Sequence, residues 1–479
     1  MSSVSRIVDM VGDLGPVRPA YLALAERLRL LIVDGAILPG TRLPSEREFT
    51  TALGLSRTTV TRAYDVLRDK GFAVSRQGSG TRARLPDERR RSGTGVLLTN
   101  EPIAGFVDLT CAATRAPAGM AEAYAWAVER LPAYLAGAGY FGAGVPELRS
   151  AIAERYAARG LPTDPDQILI TSGAVAGAAI LADVLVRPGT RVLVESPAYP
   201  NSIELLRRRG ARLAPTPVDP RGWDLATTER DLQASGAEVA LLIPDFHNPT
   251  GAHLDADQRA RLARALRGQG TTAIVDETLA ETWLGEAPAT KPFAAYEPGA
   301  FLVGSASKTF WGGLRTGWIR APRAAMPRLL EARAAVDLCA PVLEQLVTLR
   351  LLHEHDGMPS AGQDRLRESR DATVAALRER LPHWRFTVPS GGLSLWIDVG
   401  AGAGPGVVDA AYEHGVLLAS GSRFAVRGRL DRWVRLPYVL AADEMREVVA
   451  RLAEAVAATC AGERADRGQL AAPHGPLVA

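Results

Sequence analysis

Residues 40–72 read GTRLPSEREFTTALGLSRTTVTRAYDVLRDKGF, a stretch that encodes two short helices and the turn between them. Ser45-Glu46-Arg47-Glu48 is a capping box: the Ser45 hydroxyl can accept from the Glu48 amide while the Glu48 carboxylate reaches back. The helix it opens is predicted to stop near Gly54, since glycine takes the left-handed conformation at a helix end without strain. Ser56 can cap a second helix, in which Val60, Ala63, Tyr64 and Leu67 fall at i, i+3, i+4 and i+7. The opposite face carries Arg57, Thr58, Thr61, Arg62 and Arg68. Short hydroxyls and an arginine at a helix N-terminus suit entry into a DNA major groove, where a guanidinium can grip guanine or phosphate with two bonds. Ser56 and Thr59 add donors for backbone phosphate.

Upstream, residues 18–35 place Leu24, Leu28, Leu31 and Ile32 on one helical face, with Gly35 as the stop. Downstream, Phe72–Arg76 and Thr81–Arg84 flank Gly78-Ser79-Gly80 and read as a small hairpin. A helix, a helix-turn-helix and a hairpin together make a winged helix-turn-helix. Charge agrees with that reading. Residues 1–92 hold 16 Lys and Arg against 10 Asp and Glu, while the remainder holds 40 against 43. A basic head on a mildly acidic body points to nucleic acid at the N-terminal end.

The whole chain, 479 residues, is too long for one core and predicts two or three domains. No apolar run reaches the roughly 18 residues of a membrane span, and MSSVSRIVDMVGDLG lacks a signal-peptide core. Cys111, Cys339 and Cys460 are odd in number and scattered, so neither a disulfide framework nor a zinc cluster is expected. A cytoplasmic protein without a metal site is the expectation. The boundaries predicted are a DNA-binding domain at 17–85, a linker at 86–104, an effector domain at 105–460 and a disordered tail at 461–479. A flexible stretch of about 15 residues spans roughly 20 Å.

From about residue 105 the pattern becomes repeated strand–loop–helix units. The apolar runs Ile168–Ile170, Val192–Val194, Val239–Ile243, Ala273–Val275 and Phe301–Val303 each precede a polar or Gly-rich turn. This is an α/β domain with a mainly parallel sheet, whose site lies beyond the carboxyl ends of the strands. Several residues there suit a phosphorylated aldehyde. The chain has three lysines, Lys70, Lys291 and Lys308. Lys308 follows the last of those strands in Ser305-Ala306-Ser307-Lys308, with Arg315 seven residues on. The amine can form a Schiff base while hydroxyls and Arg bind phosphate. Asp276 ends the strand Ala273–Val275 and could keep a pyridine nitrogen protonated, although taken alone a helix N-cap is its more ordinary role. Asn248, in HNPTG, can donate to a ring oxygen, though the motif taken alone is a turn. Gly173 and Ala174 open a helix whose free amides can take phosphate. Tyr199 can stack on a ring. Arg435, in an apolar strand-like run, would be costly unless it meets an anion such as a carboxylate.

Two resemblances then apply. GTRLPSEREFTTALGLSRTTVTRAYDVLRDKGF with RQGSGT resembles the DNA-binding head of the GntR superfamily, which implies DNA contacts at Arg47, Ser56, Arg57, Thr58, Thr59 and Thr61, with Gly78 at the wing tip. Residues of roughly 105–460, with FGAGVPELRSAIAERYAARGL and GGLSLWIDV, resemble the fold-type I aminotransferases, which use pyridoxal 5′-phosphate. That resemblance makes Lys308 the catalytic-type lysine that carries the cofactor and Asp276 the partner of the pyridine nitrogen. It gives Asn248 the ring oxygen, Tyr199 stacking, and Gly173, Ala174, Ser305, Ser307 and Arg315 the phosphate. Arg435 becomes the clamp for the carboxylate of a substrate or effector.

Departures from that pattern are specific. The usual Tyr after the Asp is replaced by Thr278 and Leu279, the usual Gln pair by Val175-Ala176, and a usual Pro by Gly312. Losing the Tyr removes a charge-assisted hydrogen bond of about 1.5–3 kcal/mol, which leaves cofactor binding in reach and weakens the case for turnover. Tyr140 is a candidate for phosphate contact across a dimer. The fused order resembles the MocR-type regulators, which implies a transcription factor sensing pyridoxal phosphate, an amino acid, or both. It also implies a homodimer on paired operator half-sites of double-stranded DNA, with head-to-tail crossing as an option. The alternatives are an aminotransferase with an appended DNA-binding domain, and a body emptied of cofactor and kept for dimerisation.

Overall fold

A computed structural model of the chain describes residues 3–12, 14, 19–33, 37, 39–76, 80–85, 105–355 and 359–470. The expected linker at 86–104 and the wing-tip Gly78 lie outside the described residues.

The head is the expected winged helix-turn-helix. Its helices are Ala20–Val33, Glu46–Leu53 and Arg57–Asp69, followed by the hairpin Ala73–Arg76 and Gly80–Ala83. Leu24, Leu28, Leu31, Ile32, Val60, Ala63, Tyr64 and Leu67 are all buried in one core, as their spacing requires. One helix was not expected. Ser3–Val11 sends Ile7 and Val11 into the same core, so the head begins well before the predicted boundary at 17.

In the body, eight strands among the described residues form the main sheet. Their order is Ile168–Thr171, Gly317–Arg320, Phe301–Ser305, Thr272–Asp276, Val239–Leu242, Arg191–Ser196, Arg212–Asp219 and Gly222–Trp223. All five strands read from the sequence are present. Gly317–Arg320 runs antiparallel to both neighbours, and Gly222–Trp223 is antiparallel at the far edge. The other neighbouring pairs are parallel. Strands such as Val239–Leu242 are buried at every residue because helices cover both faces.

The predicted effector domain holds more than one core. Leu395, Ile397, Val434 and Leu436 of a separate antiparallel sheet pack with helices Ser360–Arg380, Gly404–Glu413 and Ala442–Leu470. The strand Val107–Asp108 joins this smaller unit by pairing with Val416–Leu417. The last helix continues to Leu470, ten residues into the segment expected to be disordered, and residues 471–479 lie outside the described residues. No described helix is long and apolar enough to cross a membrane.

Head and body of one chain touch. Arg29 Nη2 meets Asp409 Oδ2 at 2.8 Å, Arg27 pairs with Asp431, and Arg429 Nη1 donates to the Val11 carbonyl at 3.2 Å.

Candidate functional site

The site is built at the carboxyl ends of the central strands, and one end of it is shaped by glycine. Gly173, at φ 90°, turns the chain from the strand Ile168–Thr171 into the helix Ala174–Leu185. A Cβ at Gly173 would stand 2.7 Å from Arg315 Nη2, and one at Gly317 would stand 2.6 Å from the Gly173 carbonyl carbon. Any side chain at either place would fill the space beside free helix-start amides and a guanidinium. Arg315 is itself left-handed, at φ 49°, a conformation that costs a non-glycine residue of order 1–3 kcal/mol and gathers at ligand clamps.

The two serines divide their work. The Ser305 hydroxyl accepts from the Ser307 amide at 3.1 Å, which makes it the cap of the one-turn helix Ala306–Thr309. Ser307 Oγ is buried and has no hydrogen-bond partner. A buried hydroxyl without a partner is costly, so Ser307 is the serine that calls for a ligand.

Asp276 ends one strand, and Lys308 sits in the one-turn helix that follows its parallel neighbour, whose register pairs Val303 with Asp276. The Asp276 carboxyl accepts from the Thr278 amide at 2.9 Å. Burial pushes its pKa up, partly opposed by the Thr278 hydrogen bonds and the Lys308 charge. Burial holds the Lys308 amine below the ordinary lysine range, while Arg435 and Arg315 lower it further and Cys111 and Asp276 oppose. Both side chains keep some surface on the cleft, and the packed protein behind them supplies the desolvation. Tyr199 and Asp276 line one small cavity with Glu195 and Ile243, and burial pushes the Tyr199 phenol up to about 12.

Arg435 lies on the strand Trp433–Pro437 and is almost wholly buried. Its Nη1 donates to Asn248 Oδ1 at 3.3 Å. Its Nη2 donates to the Thr110 carbonyl at 2.5 Å, and its Nε has no partner. Burial lowers its pKa to about 10, with Arg423 also lowering it and Cys111, Tyr199 and Asp108 opposing. No carboxylate bonds it among the described residues, so the cation is poised for an anion from outside.

Several contributors were not visible in the sequence. Ala112 O accepts from Lys308 Nζ at 2.6 Å, and Cys111 is close enough to Lys308, Tyr199 and Arg435 to act on all three electrostatically. Glu195, a buried residue of the cavity wall, accepts from Trp223 Nε1 at 2.8 Å and from the Ile243 amide at 2.7 Å, with His247 at 3.4 Å. An acid in Glu195-Ser196-Pro197 at a strand end was the one signal for it. Leu279, where the family pattern has a Tyr two or three residues after the Asp, is buried in the smaller unit's core. Tyr140 is 71% exposed in the single chain.

On the head, both predicted caps form. The Glu48 amide donates to Ser45 Oγ, Glu48 Oε2 accepts from the Ser45 amide at 2.6 Å, and the Thr59 amide donates to Ser56 Oγ at 3.1 Å. Arg47, Arg57, Thr58 and Arg62 are exposed, and Thr59 and Thr61 are half-buried. Arg57 Nε donates to Glu46 Oε2 at 2.9 Å, and the Thr61 hydroxyl to the Arg57 carbonyl. Arg68 is different: it is tied to Asp65 and to Ser75 of the hairpin, so it braces the wing instead of reaching outward.

With that geometry in place, the sequence matches the family described as Aminotransferase class I and II over residues 138–452, and Bacterial regulatory proteins, gntR family, over residues 20–82. It is 31% identical to the 2-aminoadipate transaminase of Thermus thermophilus over 65% of this chain and 80% of the relative. It is 30% identical to the HTH-type pyridoxine biosynthesis transcriptional regulator PdxR of Corynebacterium glutamicum, over 66% of this chain and 69% of the relative. Its fold is similar to the crystal structure of the α-aminoadipate aminotransferase LysN from Thermus thermophilus, complexed with N-(5′-phosphopyridoxyl)-L-leucine. That match has a TM-score of 0.67 at 28% identity and covers 75% of this chain and 94% of the solved one.

Proposed function

This chain belongs to the class I and II aminotransferase family and carries a GntR-family head, the MocR-type architecture of a transcriptional regulator; from that premise we propose that its body binds pyridoxal 5′-phosphate on Lys308 and reports an amino acid to DNA. The observation that carries the reading is the placement of the Lys308 amine just past a strand end, with Asp276 ending the neighbouring parallel strand and Arg315 and Arg435 near enough to act on its charge. When bound, the cofactor supplies an aldehyde that condenses with an amine, on a ring able to withdraw electrons.

The chain's own residues do the rest. The Gly173–Ala174 turn, Ser307 and Arg315 bind the phosphate, and Ser305 shapes the turn that presents Ser307. Asp276 stands to hold a proton on the ring nitrogen, Asn248 donates to the ring oxygen, and Tyr199 covers the ring face. Arg435 takes the carboxylate of an incoming amino acid, whose amine competes with Lys308. Only a ligand that binds two arrangements of the body unequally can shift the heads. The head reads double-stranded DNA through Arg47, Ser56, Arg57, Thr58, Thr59 and Thr61, as one of two in a homodimer on paired half-sites.

An absorption titration of the purified chain with pyridoxal phosphate, wild type beside Lys308→Ala, tests the core of this. A saturable band near the visible in the wild type alone is expected. A colourless wild type would mean an emptied scaffold. A second reading, a working aminotransferase with a DNA-binding head, is favoured by the transaminase relative and the intact HNPTG. It is opposed by Leu279, and steady conversion of an amino acid with a keto-acid acceptor would establish it.

A further inference from the structure

The strand that leads into the Gly173 turn, Ile168–Thr171, is an edge strand of the main sheet, with Gly317–Arg320 beside it. An edge strand leaves backbone groups on its open side without sheet partners. Here a loop and a side chain fill that side. The Ile170 amide donates to the Ala143 carbonyl at 2.9 Å, and the Ile170 carbonyl accepts from Arg333 Nη1. Arg333 is 1% exposed and belongs to the helix Met326–Ala334. Leu329 of that helix shares a core with Ile180 and Leu181 of the helix that the Gly173 turn opens. The same guanidinium donates through Nε to Asp337 Oδ1 at 2.9 Å, and Asp337 Oδ2 accepts from the Ser172 hydroxyl at 2.7 Å. Ser172 is the residue directly before Gly173.

We propose that Arg333 and Asp337 are positioning residues for the Gly173 turn: acting through Ser172, they hold it where its amides close on one phosphate together with Ser307 and Arg315. This rests on the function proposed above and adds which residues outside the site set its grip.

The argument concerns two parts of the chain that must keep a fixed separation. The turn has internal bonds of its own, from the Gly173 amide to the Thr171 carbonyl at 2.8 Å and from Thr171 Oγ1 to the Gly173 carbonyl at 3.0 Å. Those bonds give the turn its shape but do not fix where it stands. Ser307 and Arg315 lie between the strands Phe301–Ser305 and Gly317–Arg320, on a different stretch of chain. Hydrogen bonds weaken steeply as distance and angle depart from the optimum, so a phosphate is gripped from both stretches only while they stay in register. Gly317 limits the turn on the sheet side, where even a Cβ would come within 2.6 Å of the Gly173 carbonyl carbon. On the open side the Arg333–Asp337 pair does so, and a hydroxyl bonded to a carboxylate is a strong tether. Arg333 also neutralises Asp337, so the tether brings no net negative charge towards the phosphate. The turn after Asp337 is held at a cost: Leu338 is left-handed at φ 58°, with the Cys339 amide bonded to the Asp337 carbonyl at 2.6 Å.

Pyridoxal phosphate on the full-length chain carries its own reporter of that grip. A phosphate monoester takes up its second proton near pH of about 6. Donors that hold the dianion pull this value down, so the phosphorus NMR resonance of a gripped phosphate stays constant where that of the free ester titrates. Occupancy is followed on the same samples by the absorption band at Lys308. The wild type should give the band and a constant resonance. In Asp337→Ala and in Ser172→Ala the band should persist at saturating cofactor, because Lys308 is untouched. Affinity should fall about tenfold, and the resonance should move with pH by at least about half the range of free pyridoxal phosphate. The double variant should be no worse than Asp337→Ala, since both changes break one link.

A resonance as constant in the single variants as in the wild type would overturn the proposal, whatever happens to affinity or melting temperature. A general loosening of the body lowers those two without changing how the bound phosphate is protonated. Ser172→Ala carries the test should Asp337→Ala fail to fold, since it removes one hydroxyl and leaves the Arg333–Asp337 pair intact. A wild-type phosphate that titrates like the free ester would also defeat the proposal, for there would be no grip to set. Absence of any band in the wild type would count against the proposed function instead.

Discussion

Lys308 shows how a single residue's surroundings set its chemistry. An amine attacks an aldehyde as the neutral base, and an ordinary lysine is almost wholly protonated near neutral pH. Burial, helped by the positive charges of Arg435 and Arg315, disfavours the charged form, so more of the Lys308 amine is available. The sign follows. Because the folded-state pKa lies below the unfolded value, the unfolded chain binds more protons between the two, and stability contributed by this residue rises with pH across that window. Capture of pyridoxal phosphate should likewise quicken as pH rises and level off with a midpoint below 10.5, measured by stopped-flow absorption. A midpoint at or above the ordinary lysine value would show that burial does not tune this amine. At the same scale, Arg435 pairs with carbonyl and amide oxygen although buried. That arrangement is tolerable because each bond is to an oxygen, and it remains responsive because neither oxygen carries a charge.

At the scale of elements, the helix Arg57–Asp69 is divided by function along its length. Its buried stripe of Val60, Ala63, Tyr64 and Leu67 fixes it to the head's core, its N-terminal turn stays outward, and its last turn is spent on the wing through Arg68. The Tyr64 hydroxyl reinforces the fixing by bonding the Pro44 carbonyl. Arg57 is 82% exposed and among the described residues its side chain is held by Glu46, an exposed pair of small worth, so a base or phosphate can take it over. Arg57→Ala should weaken operator binding by about 1–3 kcal/mol and relax preference at one base position. Equal weakening on every sequence, in a binding series at fixed salt, would make it a phosphate contact instead. Arg68→Ala should act through the wing, lowering the head's stability with little change in which base is preferred.

For the whole molecule, the question is whose body each head touches. The resemblance to MocR-type regulators implies heads crossing between subunits as an option, whereas in this structure Arg27 and Arg29 engage Asp431 and Asp409 of the same chain. The Arg29–Asp409 side chains are 14% and 17% exposed, enough burial for the loss of one partner to matter. Charge reversal separates the two arrangements. Arg29→Glu should lower the head's melting transition, and Arg29→Glu with Asp409→Arg on one chain should restore it. Mixing the two single variants as a co-expressed dimer should leave the transition low if the contact lies within a chain. Restoration in the mixed dimer would place it between subunits.

Much of this protein was determined by sequence alone. Caps at Ser45 and Ser56, the stripe Val60–Leu67 and the five apolar runs of the body are local patterns, and local spacing writes where a helix or a strand forms directly. The residue types of the site were legible too, because an amine, a carboxylate and guanidiniums at strand ends are distinctive as side chains. What only the tertiary structure decided is non-local or carries no side-chain signature. Ser305 and Ser307 are alike in sequence, and their different roles come from which hydroxyl meets the Ser307 amide. The strand Gly317–Arg320 enters antiparallel between two others, a placement set by partners some 15 and 150 residues away in the chain. Arg435 and Lys308 find their acceptors in the carbonyls of Thr110 and Ala112. Every residue has a carbonyl, so nothing in their letters could mark those two, and only the folding of distant segments onto each other brings them to Arg435 and Lys308.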